Sequence, residues 1–412
     1  MPKLPNLTTR EVKGKKYYYL DKNVKDINGN WKKLSVYLGA KVPTKAQIRN
    51  KENDLDKRVN LAEKEASAVN PATKNKKLPK ICLLFCGGTI AMKRDKKGIL
   101  IPAKTVEDLL KISPKVNELV ELDYSFIVNI DSTNMQPFLW SKIAEEIYKK
   151  YDEYDGFVIT HGTDTMAYTA SALSLALQNL NKPIVLTGSQ MPPDDPATDA
   201  PNNIINACRV ASMNLRGVYI CFGTRVLQGN RTKKWSEVSL DAFVSHMTED
   251  VGEITTTITL SNSALRRKPK DEKLILKNEF EKNVLQINLV PGMDPEFIEY
   301  IMKTGHCKGL ILESFGAGNV PNKWTSFIPM IRKATCEFHI PVVITTQCSG
   351  GTSSHMLTYE GGNNAAKAGA ISAKDMTAEC AAVKLMWTLA QTKNIKEISK
   401  MMTHNYAGEI TG

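Results

Sequence analysis

The chain has 412 residues, of which 42% are hydrophobic and 24% charged, and its formal net charge is +12. This length exceeds one typical domain, and the apolar fraction is sufficient for a sizeable core. No apolar run is long enough to cross a bilayer, and the N-terminus lacks the apolar segment of a secretory signal. Eight cysteines without Cys-x-x-Cys spacing favour free thiols over disulfides or a zinc site. We therefore expect a cytoplasmic protein with no membrane contact.

The positive charge is confined to the beginning of the chain. Residues 1–80 contain 20 Lys and Arg against 8 Asp and Glu, whereas residues 81–412 contain 35 of each. Such an asymmetry indicates a separate basic module with its own partner or solvation role. We place this extension at residues 1–79.

The N-terminal extension reads as a β-hairpin, a helix and a linker. Residues 16–20 and 34–38 are strand-like, and Asn-Gly-Asn at 28–30 is a turn signal. A helix is predicted from Pro43, and residues 70–80 form a polar, basic linker.

Lysines are interleaved with aromatic side chains within residues 10–50. Basic residues beside aromatic rings on a hairpin suit nucleic acid, through phosphate contacts and base stacking. The alternative is a small solubilising or oligomerisation element whose aromatics make its own core, because an isolated hairpin needs such packing. The aromatic residues concerned are Tyr17, Tyr18, Tyr19, Trp31 and Tyr37.

From residue 80 onward, predicted strands alternate with predicted helices. This rhythm is typical of an α/β fold with a doubly wound parallel sheet. The charged stretch after residue 265 divides a larger domain at 80–265 from a smaller α/β domain at 282–412. Predicted strands are 81–86, 126–130, 156–161, 183–188, 217–222, 284–290, 308–314 and 340–346. Predicted helices are 105–112, 137–150, 165–180, 200–214, 295–304, 325–335 and 376–391.

Two buried-strand signals end in glycine and then threonine. Thr89 follows Gly87-Gly88, and Thr163-Asp164 follows His161-Gly162. Ligands of open α/β sheets bind beyond the carboxyl ends of the strands, so these side chains should share one crevice. A threonine hydroxyl is a weak nucleophile that needs a base or an organised hydrogen-bond chain. The pattern therefore predicts a threonine nucleophile with a second hydroxyl and a carboxylate beside it.

Other strand ends contribute further candidates. Lys234 follows strand 217–222 and would activate a threonine, while Asp131-Ser132 would hold the charged groups of an amino acid. Together they suit acyl transfer from a small polar amide. Each piece also has a purely structural interpretation, as a tight turn, a helix cap at 161–164 or before Pro137, or a solvated lysine.

At these residues the chain closely resembles the bacterial-type L-asparaginases, and among them the type I cytoplasmic and archaeal enzymes. The resemblance covers about residues 80–412. It is carried by five segments: Cys86–Ala91, Val158–Tyr168, Asn129–Thr133, Leu186–Pro192, and Asp375–Thr377 with Lys384–Trp387.

The resemblance implies hydrolysis of L-asparagine to aspartate and ammonia through an acyl-enzyme. Thr89 matches the nucleophile, and Thr163, Asp164 and Lys234 match the group that activates a hydroxyl or water. It also implies a homodimer or homotetramer and no metal or organic cofactor, and some type I members have a second, activating asparagine site. The implied substrate-binding residues are Asp131, Ser132, Gly162, Ser189, Gln190 and Asn319, of which Asn319 reaches a neighbouring subunit's site.

The chain departs from the family in two places. Cys86 stands where threonine is usual, and Ile99 stands where a loop tyrosine normally hydrogen-bonds the nucleophile. Isoleucine makes no hydrogen bond, so Thr163 and Lys234 would have to activate Thr89 directly. The asparaginase-like subunit of the archaeal glutamyl-tRNA(Gln) amidotransferase shares the Thr, Thr, Asp, Lys set and also lacks this tyrosine, which makes it an alternative. A nucleic-acid-binding protein with a degenerate asparaginase body is a second alternative.

Overall fold

The computed structural model describes residues 6–12, 14–25, 31–68, 78–94, 100–102, 114–265 and 271–411. The chain divides into two compact units, residues 1–78 and residues 79–412. None of the helices in the described ranges combines the length and the apolar character needed to cross a membrane.

The first unit is a three-stranded antiparallel sheet with one helix. Its elements are β1 (Asn6–Val12), β2 (Lys15–Lys25), β3 (Trp31–Gly39) and α1 (Lys45–Ala68), with β2 central. Alternate residues of β2 and β3 pack against α1 because side chains of a strand point to opposite faces in turn. The buried residues of this core are Leu20, Val24, Val36, Leu55 and Val59.

The structure of this unit differs from the prediction in two respects. The strand β1 was not predicted, and the core differs in composition. The predicted turn at 28–30 lies outside the described residues. The unit's core is aliphatic, so the idea that the aromatic residues make this core is wrong.

The second unit is built on an eight-stranded mixed sheet. In spatial order its strands are β16 (Ile258–Leu260), β15 (Gly252–Ile254), β12 (Arg225–Gln228), β11 (Gly217–Phe222), β10 (Pro183–Thr187), β8 (Gly156–Thr160), β4 (Lys80–Gly87) and β7 (Glu121–Ile130). The strands from β11 to β7 run parallel, whereas β12, β15 and β16 pair antiparallel. The five strands predicted for this sheet are parallel as expected, and the antiparallel strands at this edge were not predicted.

Helices cover both faces of this sheet, as the apolar runs predict. Side chains of β4 alternate, so that Leu83 packs with one buried cluster and Leu84 with the other. One cluster includes the helix α4 (Ala200–Ala211), and the other includes α2 (Pro137–Lys150) and α3 (Met166–Ala176). The central strands are therefore buried on both sides, and their ends provide the accessible polar positions.

A smaller parallel sheet follows in the same unit. Its strands are β18 (Val284–Asn288), β19 (Gly309–Ser314), β20 (Val342–Thr346) and β21 (Ile371–Ser372). Its helices are α6 (Glu296–Lys303), α7 (Ile328–Cys336), α8 (Glu360–Lys367), α9 (Ala378–Gln391) and α10 (Ile395–Thr403).

Short elements complete the unit. They are β5 (Met92–Arg94) with β6 (Leu100–Pro102), β9 (Leu177–Gln178) with β17 (Ile275–Leu276), β13 (Thr232–Lys234) with β14 (Phe243–Ser245), and α5 (Asn262–Leu265). The predicted helix 165–180 ends early, because residues 177–178 pair as a strand. The predicted helix 105–112 and the Ile99 position lie outside the described residues.

Candidate active site

Two strand ends meet through glycine backbone. Gly88 has φ +86°, and a Cβ there would lie 2.4 Å from the Gly162 nitrogen. A Cβ on Gly87 would lie 2.5 Å from the Ile130 nitrogen. Only glycine permits both this φ and this approach. The loop that carries Thr89 is therefore packed directly against the loop that carries Thr163.

Two more strand ends join the same edge. A Cβ on Gly162 would lie 2.5 Å from Ser132 Oγ, and Thr165 Oγ1 donates to the Ser132 carbonyl at 2.8 Å. A Cβ on Gly188 would lie 2.4 Å from the His161 carbonyl oxygen. The ends of β4, β7, β8 and β10 thus converge, as the sequence pattern predicts for strands of one parallel sheet.

Lys234 bridges the second threonine and the aspartate. Its Nζ donates to Thr163 Oγ1 at 2.8 Å and to Asp164 Oδ1 at 2.6 Å. A hydroxyl has two acceptor lone pairs and one O–H, so the Thr163 proton remains available for another acceptor. The Lys234 ammonium also sits where it would stabilise negative charge on the Thr163 oxygen. The structural interpretation of Lys234 as a merely solvated lysine does not describe this geometry.

A buried ion pair anchors the chain just before Lys234. Arg231 is 3% exposed, and its guanidinium donates to Asp375 Oδ2 at 2.8 Å and to the Glu409 carbonyl at 2.9 Å. Burial tends to raise the pKa of Asp375, but hydrogen bonds from Arg231 and Thr411 prevail and lower it to about 2. The smaller domain thereby fixes the strand that presents Lys234, a role that the sequence analysis did not assign to Arg231.

His161 supports the same loop from inside. It is fully buried, with Nδ1 2.7 Å from the Gly162 carbonyl and Nε2 2.8 Å from Thr169 Oγ1. Trp140 Nε1 also donates to that threonine at 3.0 Å. Burial lowers the pKa of His161 to about 4, because the charged ring would lose its hydration. The neutral ring donates from Nδ1 and accepts at Nε2, which fixes the carbonyl next to Thr163.

Asp131 and Ser132 lie at the end of β7. Asp131 is exposed and accepts from Thr133 N at 2.9 Å and Thr133 Oγ1 at 3.0 Å, which caps the short 3₁₀ helix Ser132–Asn134. The structural alternative of a cap was therefore partly right, although the capped element is this turn and not the helix after Pro137. A carboxylate has about four acceptor positions, so capping leaves Asp131 able to accept from a substrate ammonium.

Ser189 and Gln190 belong to a loop that Asp199 fixes through hydrogen bonds to its backbone. Ser189 donates to the Met191 carbonyl at 2.7 Å, and Gln190 Nε2 donates to the Ser239 carbonyl at 3.0 Å. Asp199 accepts the backbone N–H groups of Gln190 and Met191, at 3.0–3.1 Å. The sequence analysis missed Asp199, because its contacts with Gln190 and Met191 bridge eight to nine residues and have no local sequence signal.

Two further groups have hydrogen-bond partners of their own. Asn319 lies in the smaller domain, where Oδ1 accepts from Gly362 N at 3.1 Å, and no hydrogen bond of the described residues joins it to Thr163 or Lys234. The Gly88 N–H donates to the Ile130 carbonyl at 3.0 Å, so it is occupied and does not serve as an oxyanion donor.

The described residues of these strand ends include no cluster of metal ligands, and one cavity of the unit lies away from them. Among the described residues no group of three or more His, Cys, Asp and Glu side chains is arranged to hold a metal ion. A cavity of about 390 Å³ lies between the region of β9 and the C-terminal segment, lined in part by Gln178, Arg216 and Tyr406. It contains none of the strand-end residues.

The fold and these strand ends define an α/β amidohydrolase. The model for the N-terminal domain of asparaginases matches residues 80–266, and that for the glutaminase/asparaginase C-terminal domain matches residues 283–402. The chain belongs to the asparaginase family, and the two-domain α/β fold inferred from the sequence is confirmed.

Individual relatives fall into two groups. The chain is 37% identical to an L-asparaginase of Thermococcus kodakarensis over 337 residues, which cover 81% of this chain and 99% of that protein. It is also 37% identical to a glutamyl-tRNA(Gln) amidotransferase subunit of Pyrococcus abyssi over 352 residues, covering 81% of this chain and 77% of that protein. The solved thermostable L-asparaginase from Thermococcus kodakarensis superposes with a TM-score of 0.73 at 35% identity, covering 81% of this chain and 99% of that one.

Proposed function

We propose that the protein is an L-asparaginase that hydrolyses L-asparagine to L-aspartate and ammonia. The observation that supports this most directly is the Lys234 ammonium between Thr163 and Asp164, on a loop packed against the one that carries Thr89. Hydrolysis of asparagine needs a nucleophile and a proton relay at one small polar site, and the strand ends of the larger sheet offer both.

In the proposed reaction the Thr89 oxygen attacks the side-chain amide carbon. The Thr89 hydroxyl proton passes to the Thr163 oxygen, and the proton of Thr163 goes to the amide nitrogen. The Lys234 ammonium stabilises the charge that develops on the Thr163 oxygen, the C–N bond breaks, and ammonia leaves. The resulting Thr89 ester is then attacked by water, which releases aspartate and returns the proton to Thr89. Backbone N–H groups at Thr89 and Thr163 are the proposed oxyanion donors, since that of Gly88 is occupied.

Substrate recognition is proposed to use the remaining strand ends. Asp131 and Asp164 would accept from the α-ammonium, and Ser132 and Gly162 would contact the α-groups. Ser189 and Gln190 would line the amide end on the loop that Asp199 holds in place. Asn319 would act only through a neighbouring subunit of a homodimer or homotetramer.

Ammonia release from purified full-length protein tests the proposal, with L-asparagine and L-glutamine supplied separately. Thr89→Ala should abolish release, because no other group forms the ester. Thr259→Ala, at an exposed strand position, is the matched threonine control and should retain it. No release from either amide by the unmodified protein would refute a stand-alone asparaginase.

A second candidate is the ammonia-releasing subunit of a glutamyl-tRNA(Gln) amidotransferase. The similarity to such a subunit at 37% identity favours it. Against it, the match covers 99% of the free asparaginase but 77% of the amidotransferase subunit. Release of ammonia only in the presence of a tRNA-binding partner would establish this candidate over the first.

We also propose a cytoplasmic location. All eight cysteines are free thiols, and six of them are buried. Burial raises the pKa of thiols such as Cys86 and Cys208, which keeps them protonated and unreactive. Such thiols suit a reducing compartment.

A further inference from the structure

The N-terminal sheet has a second face that α1 does not cover. Because alternate residues point to opposite sides, β2 and β3 direct Tyr17, Tyr19 and Tyr37 away from the core residues Leu20 and Val36. We call this side, with Arg10, Lys33 and Trp31, the open face. In the described part of residues 1–78 no element packs on it.

Aromatic rings form the accessible surface of the open face. Tyr37 is 50% exposed and lies between two other rings, with centroid distances of 5.4 Å to Tyr19 and 6.2 Å to Tyr17. Trp31, at the beginning of the same strand, is 72% exposed. The Arg10 guanidinium lies 4.3 Å from the Tyr19 ring centre. Exposure of aromatic rings to water is unfavourable, and a contiguous exposed aromatic patch of this kind indicates an interaction site.

The polar groups of the open face are already bound to one another. Asp21, whose side chain is 3% exposed, accepts from Lys33 at 2.9 Å and from Thr8 at 2.8 Å, while Arg10 donates to Ser35 at 2.7 Å. Burial would raise the pKa of Asp21, but hydrogen bonds from Ser35, Lys33 and Thr8 lower it to about 2. The Arg10 guanidinium also lies 3.4 Å from Asp21 Oδ1, so the carboxylate holds two cations beside the rings. Each of these cations keeps further N–H groups that can contact phosphates.

The charge of the unit complements a polyanion. The exposed cations on the open face include Arg10, Lys15 and Lys33, whereas the alternation places the exposed Lys16 and Lys32 on the α1 side. The acidic residues of the three strands are Glu11 and the buried Asp21. Such an arrangement attracts phosphates and releases their counterions.

We propose that the open face binds single-stranded nucleic acid. Bases stack on Tyr37 and Trp31 while Arg10, Lys15 and Lys33 contact phosphates. A single strand fits better than a duplex, because the rings offer stacking, for which paired bases are unavailable. This binding is separate from the strand-end site of residues 79–412 and does not depend on the proposed hydrolase activity.

Fluorescence anisotropy with the full chain tests this proposal. The probe is a labelled single strand of about 12 nucleotides, within the range of known site sizes. Trp31→Leu and Tyr37→Leu should each weaken binding by at least about fivefold, the lower limit for losing one stacked base. Trp324→Leu, at a fully exposed tryptophan of the other unit, should leave it unchanged.

Charge variants test the phosphate contacts. Lys33→Gln should weaken binding and reduce the slope of log affinity against log salt by about 0.7, the value for one phosphate contact on a single strand. Lys149→Gln, at a 69% exposed lysine of the other unit, should change neither. Circular dichroism should show all these variants to be folded.

Four results would overturn the proposal. They are no salt-sensitive binding by the unmodified chain, equal binding by the ring variants and the Trp324 control, tighter binding to a matched duplex than to the single strand, or binding only to vesicles of anionic lipid.

Discussion

The two units place their polar residues at different parts of a sheet. In residues 79–412 the central strands are buried on both faces, so polar side chains are accessible only where the strands end. In residues 1–78 one face is covered by α1, and the other presents rings and cations along the strands. Strand ends gather a few groups around one small molecule, whereas an open face offers a long surface that suits a polymer.

The largest effect should come from the lysine at the strand-end site. Lys234→Met removes both the charge and the hydrogen bond to Thr163 Oγ1, so the rate of ammonia release should fall by about 10²- to 10³-fold. Lys233→Met is the matched control, since it precedes Lys234 in the same strand and its side chain points the other way. Comparable losses in both variants would show that the strand as a whole matters, and not the Lys234 contact.

The smaller domain contains a fully buried ion pair. Lys384 and Glu409 are both 0% exposed, with Nζ 2.7 Å from Oε1. Burial lowers the pKa of Lys384 and would raise that of Glu409, but the partner's charge and hydrogen bonds lower the pKa of Glu409. Lys384→Met leaves a buried carboxylate without its cation, so the free energy of unfolding should fall by about 3–5 kcal/mol.

Urea denaturation measures this loss. The double variant Lys384→Met with Glu409→Leu should recover much of it, because the unpaired charge is removed as well. A double variant no more stable than the single one would mean that the C-terminal segment needs the ion pair itself.

The glycine contact between the two threonine loops can be tested against an open glycine. Gly88→Ala would force a Cβ against Gly162 at a φ of +86°, and should reduce stability by more than about 2 kcal/mol and reduce activity as well. Gly292→Ala has a φ of +88° and nothing within 4 Å, so it carries the backbone cost alone. Thermal unfolding measures both losses of stability. Equal losses in Gly88→Ala and Gly292→Ala would show that the loops of Thr89 and Thr163 separate easily.

The two units should also differ in their response to acid. His161 has a folded pKa of about 4 against an ordinary value of 6.5, so the unfolded chain binds the proton more readily. Its contribution to stability is present above pH 6.5 and is lost as the pH falls toward 4, about 2 kcal/mol between pH 7 and pH 5.

Residues 1–78 contain no histidine, so their unfolding should change little over this range. The unfolding of residues 79–412, measured at pH 7 and at pH 5, gives the loss of stability between the two pH values. The variant His161→Gln should show a smaller loss. His306→Gln, at an exposed position, should not. An unchanged pH dependence in His161→Gln would assign the acid sensitivity to other groups.

The sequence predicted those features that depend on local pattern. Strand 217–222 and helix 137–150 agree with the structure because their apolar residues follow one period without interruption. The approach of the loops that carry Thr89 and Thr163 was predicted because parallel strand ends share one edge. Lys234 was expected near them, but the short antiparallel strand β13 presents it, and not a strand end of the parallel sheet.

Features that depend on distant pairing were not predictable. The strand Asn6–Val12 has few apolar residues and exists through its pairing with β2. The support of Gln190 by Asp199 and the anchoring of Arg231 by Asp375 join segments whose approach is set by the whole fold. The open face likewise required the structure, because it depends on which side of the sheet α1 covers.

The most direct measurement is the mass and position of the covalent intermediate. The full-length protein is mixed with L-asparagine, quenched in acid within one turnover, and digested for peptide mass mapping. The proposed mechanism predicts an aspartyl ester on Thr89 that is absent from Thr89→Ala. An ester on the peptide with Thr163, or ammonia release without any ester, would contradict it.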